Sequence, residues 1–105
     1  MCQELIYLDS AKIYQEESDL QLACAYERLG TIYFTKCMFG LAMENFVQAQ
    51  ALLLKSPQGM NNEMTRLYNN IGAVLHKQGE CEEATASFKK ALDLFQAENQ
   101  TRKDY

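Results

Sequence analysis

The chain has 105 residues, 48% of them apolar, and its 14 acidic and 10 basic residues give a net charge of −4. That length fits one domain or part of one, and the apolar content is ordinary for a globular protein, so disorder is not the default. The acidic balance argues against a nucleic-acid partner, which needs a basic face for phosphates. No apolar run approaches the roughly 18 residues of a membrane span, and Met1–Ser10 has neither the basic nor the apolar region of a secretory signal.

Apolar residues recur three and four apart, with no sustained strand-like alternation, so the spacing predicts about five helices. The first spans about Gln3–Glu16, with Leu5, Leu8, Ala11 and Ile13 or Tyr14 as its stripe. Ser18 or Asp19 is placed to cap the second, which runs to about Lys36 with Leu22, Tyr26, Leu29, Gly30 and Tyr33 inward. The third starts near Phe39 and carries Ala42, Phe46, Ala49 and Leu53. Ser56-Pro57-Gln58-Gly59 ends it, since proline cannot continue a helix and glycine suits a turn. The fourth, capped by Asn61 or Asn62, turns Met64, Tyr68, Ile71, Gly72 and Leu75 inward. After the turn Gln78-Gly79-Glu80, the fifth places Glu80, Glu82 and Glu83 at its positive end and carries Ala84, Phe88, Ala91 and Phe95. Glu98–Tyr105 is polar and expected to fray.

The cysteines Cys2, Cys24, Cys37 and Cys81 make no Cys-x-x-Cys pair, and His76 is the one histidine, so no zinc site is indicated. The four cysteines could form two disulfides, but Cys24, Cys37 and Cys81 fall in helical patterns and read as small buried hydrophobes, kept reduced in a cytoplasmic or other intracellular location.

Five residues return at one spacing. Tyr26, Gly30, Ala42, Phe46 and Ala49 recur 42 residues later as Tyr68, Gly72, Ala84, Phe88 and Ala91, with Leu29 matched by Ile71, Ile32 by Val74, Tyr33 by Leu75 and Leu53 by Phe95. A repeat of this length marks a stack of one supersecondary unit. The glycines let two helices approach, the alanines are their small partners, and Phe46 and Phe88 fill the gap between successive pairs. The strings Tyr26-x-x-Leu29-Gly30-x-x-Tyr33 and Ala42-x-x-x-Phe46-x-x-Ala49, with their second copies, resemble the tetratricopeptide repeat over roughly residues 20–97.

The resemblance implies an all-α fold of antiparallel helix pairs stacked as a fragment of a right-handed α-solenoid. Residues 1–18 would be a leading helix belonging to a preceding repeat, 19–56 one repeat, 57–97 the next and 98–105 a polar tail. The packing residues it implies are Tyr26, Leu29, Gly30, Tyr33, Ala42, Phe46 and Ala49, and Tyr68, Ile71, Gly72, Leu75, Ala84, Phe88 and Ala91. Two features depart from the family pattern: Tyr26 and Tyr68 stand for its tryptophan, and its closing proline is missing at Leu54 and Gln96. The spacing is longer than the family's usual one, by about two helical turns. It is similar to the long repeats of kinesin light chains and of the Leu-Gly-Asn spindle adaptors, whose Asn-Leu-Gly core Leu67–Gly72 resembles.

For function, the resemblance implies a scaffold that binds a peptide or protein partner in a groove lined by the first helix of each pair. The alternative is a structural or self-association segment with no groove of its own. At about 100° per residue, the faces opposite the core stripes carry Cys24, Arg28, Thr31 and Thr35, flanked by Glu27 and Phe34, and Arg66, Asn70, Ala73 and Lys77, flanked by Asn69 and His76. Asparagine can both donate to and accept from a peptide backbone, and Arg66 or Lys77 can meet a carboxylate or phosphate. The Lys–Asn clamp with which some relatives hold chaperone tails is absent: its places hold Glu27 and Thr31, and Asn69 and Ala73. No nucleophile–base set, phosphate loop or metal set stands out, so neither an enzyme nor a cofactor is expected. Leu5, Ile6, Tyr7 and Leu8 near the start, and Leu92, Leu94 and Phe95 near the end, exceed what one buried face needs. A homodimer, or further repeats, would cover them.

Overall fold

The computed structural model describes the backbone of residues 2–55 and 61–103 and the side chains of 17–55 and 61–97. Among these residues there are four helices and no strand: α1 (Cys2–Thr35), α2 (Phe39–Leu54), α3 (Asn61–Lys77) and α4 (Cys81–Lys103). The all-α prediction holds, with one correction. The first two predicted helices are a single helix, α1, which passes through Ser18 and Asp19 without a break. The physical reason is cooperativity. No glycine or proline precedes Gly30, and adding residues to an existing helix is far easier than nucleating a new one behind a cap. Serine or aspartate inside a helix costs only about 0.5 kcal/mol, too little to stop propagation. With 34 residues against 16, α1 outruns α2 by about 27 Å. The side chains of Leu5–Leu8, Ala11, Ile13 and Tyr14 and the turn Ser56–Gly59 lie outside the described residues. At the other end α4 stays helical to Lys103, into the stretch expected to fray.

The turn inside each pair is built the same way twice. After α1, the Cys37 N–H bonds to the Phe34 carbonyl at 2.9 Å and the Met38 N–H to the Tyr33 carbonyl at 2.9 Å. After α3, Gly79 bonds to His76 at 3.1 Å and Glu80 to Leu75 at 2.8 Å. Each is a Schellman closure, which needs one residue with positive φ just past the helix. Gly79 supplies it at φ 84; in the first pair Cys37 does, at φ 62. Cys37 is therefore an exposed turn residue, and Cys81 at the start of α4 is exposed as well. Their expected role as buried hydrophobes is corrected. Sequence periodicity cannot distinguish the last helical residue from the reversal after it. Three-residue turns of this kind leave the helices of a pair side by side and antiparallel.

Within a pair, a phenylalanine ring lies on a glycine. A Cβ added to Gly30 would sit 2.6 Å from Cε1 of Phe46, and one on Gly72 would sit 2.7 Å from Cε1 of Phe88. Ala42, Ala49, Ala84 and Ala91 are buried beside these contacts. The Phe rings therefore fill space inside their own pairs, not only the gap between successive pairs. Between pairs, α3 is seated on α2 with a narrower contact to α1. Ala23, Ala42, Phe46, Ala49 and Leu53 from the first pair and Met64, Leu67, Ile71 and Val74 from α3 make one buried cluster. Tyr26, Tyr33, Tyr68 and Leu75 pack against it, half-buried. Ser87 is buried and donates from its hydroxyl to the Tyr68 carbonyl at 2.7 Å, while Lys90 Nζ stands 5.6 Å from the Tyr68 ring centroid.

Matched positions do not share one burial. Phe46 is 1% exposed and Phe88 41%, because α3 covers the first ring and no described helix covers the second. Leu29, placed in the packing stripe by the repeat, is exposed, whereas its match Ile71 is buried against the preceding pair.

Two expectations follow. Gly30→Ala is destabilising by about 1–2 kcal/mol net, since overpacking an enclosed ring outweighs the alanine's better helix propensity. Gly72→Ala lies within about 0.5 kcal/mol of the parent, because the half-exposed Phe88 ring can swing outward. Urea melts of the two variants test this, and equal losses would contradict it. Cys37→Gly is expected to raise stability by about 0.5–1 kcal/mol by removing the left-handed strain of a residue with a Cβ. Thermal melting checks it, with an upward shift of several degrees expected.

Candidate functional site

The polar side chains of the two pairs meet at one place. Glu27 on α1 accepts from Arg66 on α3, with Nε to Oε1 at 2.8 Å. The same oxygen receives the Asn70 side-chain amide at 3.4 Å. Glu27 is 12% exposed and Arg66 60%, so the carboxylate is largely enclosed while the guanidinium keeps most of its surface in water. Cys24, Glu27, Arg28 and Arg66 line one open cleft there. The cleft carries two guanidinium groups and one carboxylate, a local positive excess on an acidic chain. Arg66 uses one edge of its planar group on Glu27, which leaves further N–H donors for a ligand.

The predicted groove residues divide into groups. Arg28, Arg66 and Asn70 are brought together around this cleft. Thr31 and Thr35 are exposed, but their hydroxyls donate to their own helix, to the carbonyls of Glu27 at 3.0 Å and Ile32 at 2.7 Å. Lys77 is exposed in the last turn of α3, and Ala73 is half-buried. Asn69 is set apart. It lines a different cleft, with Thr65, Phe88, Ala91, Leu92 and Phe95, on the far side of the second pair. Glu27, placed only on the flank by the sequence, is the group that organises the cleft. Its signal was positional: it stands 43 residues before Asn70, close to the repeat spacing.

The arrangement defines a class: an all-helical repeat in which polar groups of successive pairs converge on the side of their first helices. Residues 65–98 match the family model of the tetratricopeptide repeat. The second helix pair is a tetratricopeptide repeat, and the first pair reproduces its glycine–phenylalanine contact and its turn 42 residues earlier. The chain matches no curated protein and no solved structure. No helix among the described residues is long and apolar enough to cross a membrane.

The Glu27–Arg66 contact is expected to tie the two pairs together modestly. A double-mutant cycle with Glu27→Gln and Arg66→Gln should return a coupling of about 0.5–1 kcal/mol at low salt, as for partly exposed pairs. At molar salt the coupling should shrink, because the Debye length falls to about 3 Å. A coupling of zero at low salt would show that the pair contributes nothing to the junction.

Proposed function

We propose that the chain is a protein-interaction module that binds an extended, carboxylate-bearing peptide segment along α1 and α3. The observation that carries this reading is the cleft of Cys24, Glu27, Arg28 and Arg66 between two successive pairs, with Asn70 donating to the Glu27 carboxylate beside it. Charged donors held on rigid helices, with one internal carboxylate to orient them, suit a ligand carboxylate and a peptide backbone. Lys77 extends the same stripe of α3 by two turns, and Thr31, Thr35 and Ala73 lie further along the same two helices. In this reading residues 19–56 and 57–97 act as the two repeats, and residues 1–18 lead into the first. The long-repeat relationship and the role as scaffold or adaptor belong to it as well, with no catalytic step and no cofactor. The free thiols of Cys24, Cys37 and Cys81 go with a reducing, cytoplasmic setting.

A panel of extended peptides carrying one to three carboxylates, titrated against the chain at low and at physiological salt, tests the reading. Some members are expected to bind with micromolar Kd and to weaken at least about tenfold in Arg28→Ala/Arg66→Ala with helicity unchanged, equivalent to about 1.4 kcal/mol. Binding that is indifferent to both arginines would place the site elsewhere.

A further inference from the structure

The two ends of the described fold carry the two halves of a junction that the molecule already makes once inside itself. At the inner junction Met64, Leu67, Ile71 and Val74 of α3 are buried in one cluster with Ala23, Phe46, Ala49 and Leu53 of the first pair. Moved back by 42 residues, the α3 set becomes Leu22, Ala25, Leu29 and Ile32 on α1. All four are exposed, the three large ones at 43–49%. Moved forward by 42 residues, the receiving set becomes Thr65, Phe88, Ala91 and Phe95. These four, with Asn69 and Leu92, line the cleft on the far side of the second pair, where Phe88, Leu92 and Phe95 are 41–55% exposed.

We propose that this chain self-associates head to tail, with α1 of one copy taking, on α3 and α4 of another, the seat that α3 takes on the first pair within each copy. The occupant is a second copy because the inner junction shows which surface fits which, and among the described residues each copy leaves one example of both uncovered.

Polar and helix-length matching point the same way. At the inner junction Asn70 donates to Glu27. The equivalent positions at the outer junction are Arg28 of one copy and Asn69 of the other, again a donor facing an oxygen acceptor. The place of Arg66 falls on Cys24, so the ion pair has no counterpart and the outer junction relies on apolar contact. Transposed by the repeat spacing, α2 corresponds to residues 81–96 and α3 to residues 19–35. Beyond those limits α4 continues over 97–103 and α1 begins seventeen residues earlier, at Cys2. Both extensions lie at the same end of the proposed junction, where they run beside each other and lengthen it.

The contact joins unlike faces, so it does not close on itself in a dimer; it grows into open chains with concentration. Leu29→Glu spoils only the leading face and Phe95→Glu only the trailing face. Each places a charge where apolar groups close, and each alone is expected to weaken association by about a hundredfold or more. Sedimentation from micromolar to millimolar concentration is expected to show the parent growing beyond dimers and each variant alone staying monomeric. An equimolar mixture of the two variants should form a 1:1 dimer and stop there, because one intact leading face then meets one intact trailing face. Three results would overturn the proposal: a parent that stays monomeric throughout, a single variant that still pairs with itself, or a mixture that does not pair. If either charge lowers helicity by circular dichroism, Leu29→Gln and Leu92→Gln at the same faces replace them with the same expected outcomes. None of these substituted positions lines the arginine cleft, and both variants keep Arg28, which the outer junction and the cleft share, so titrating peptide into the monomeric variants reads peptide binding apart from self-association.

Discussion

A phenylalanine ring lying on a glycine sets the geometry of this molecule. A Cβ at Gly30 would stand 2.6 Å from Cε1 of Phe46, so the ring or the helices would have to shift. With hydrogen alone there, the helices come close enough to bury Ala42 and Ala49 completely. That close approach shapes the surface on which α3 is seated, so the inner junction depends on a contact made wholly within the first pair. The second pair repeats the contact with Gly72 and Phe88. The same local interaction thus appears once covered and once open, which separates its two consequences. Pair geometry is local, whereas burial of the ring needs a neighbour.

The junction between pairs combines two kinds of interaction. Its centre is apolar, where Phe46, Leu67 and Val74 are nearly without exposed surface. Its edge is polar, where Glu27 takes Arg66 and Asn70. Burial without direction supplies most of the attraction, and the hydrogen-bonded edge restricts how α3 turns on α1. The edge also leaves guanidinium N–H groups facing water beside a fixed carboxylate. A group that helps to register two helix pairs is thereby also a group that can receive a ligand.

The internal repeat gives the ends of the fold a meaning that a single apolar patch would lack. Leu22, Leu29 and Ile32 occupy the positions of residues that α3 buries, and Phe88, Leu92 and Phe95 extend the kind of surface that α3 covers. Stacked repeats gain stability from each interface added, and two pairs possess only one.

Sequence alone determined that the chain is helical and that glycine and alanine let the helices of a pair approach, because those depend on residues close in the chain; that each phenylalanine ring lies on the glycine of its own pair came from the structure. The recurrence of Tyr, Gly, Ala, Phe and Ala at one spacing carried the small and large partners of each pair, and Gln78-Gly79-Glu80 carried a turn. Tertiary structure decided the rest. The joining of the first two predicted helices was hidden because a residue suited to a cap is also tolerated inside a helix. The unequal fates of Leu29 and Ile71, and of Phe88 and Phe46, were hidden because periodicity places a side chain about its own axis without saying what lies opposite. Asn69 and Asn70 are neighbours in the chain, yet one step of about 100° sends them to different clefts. Glu27 became an organising residue only when stacking brought α3 beside α1. A contact spanning 43 residues is set by how whole helix pairs pack, which no local pattern specifies.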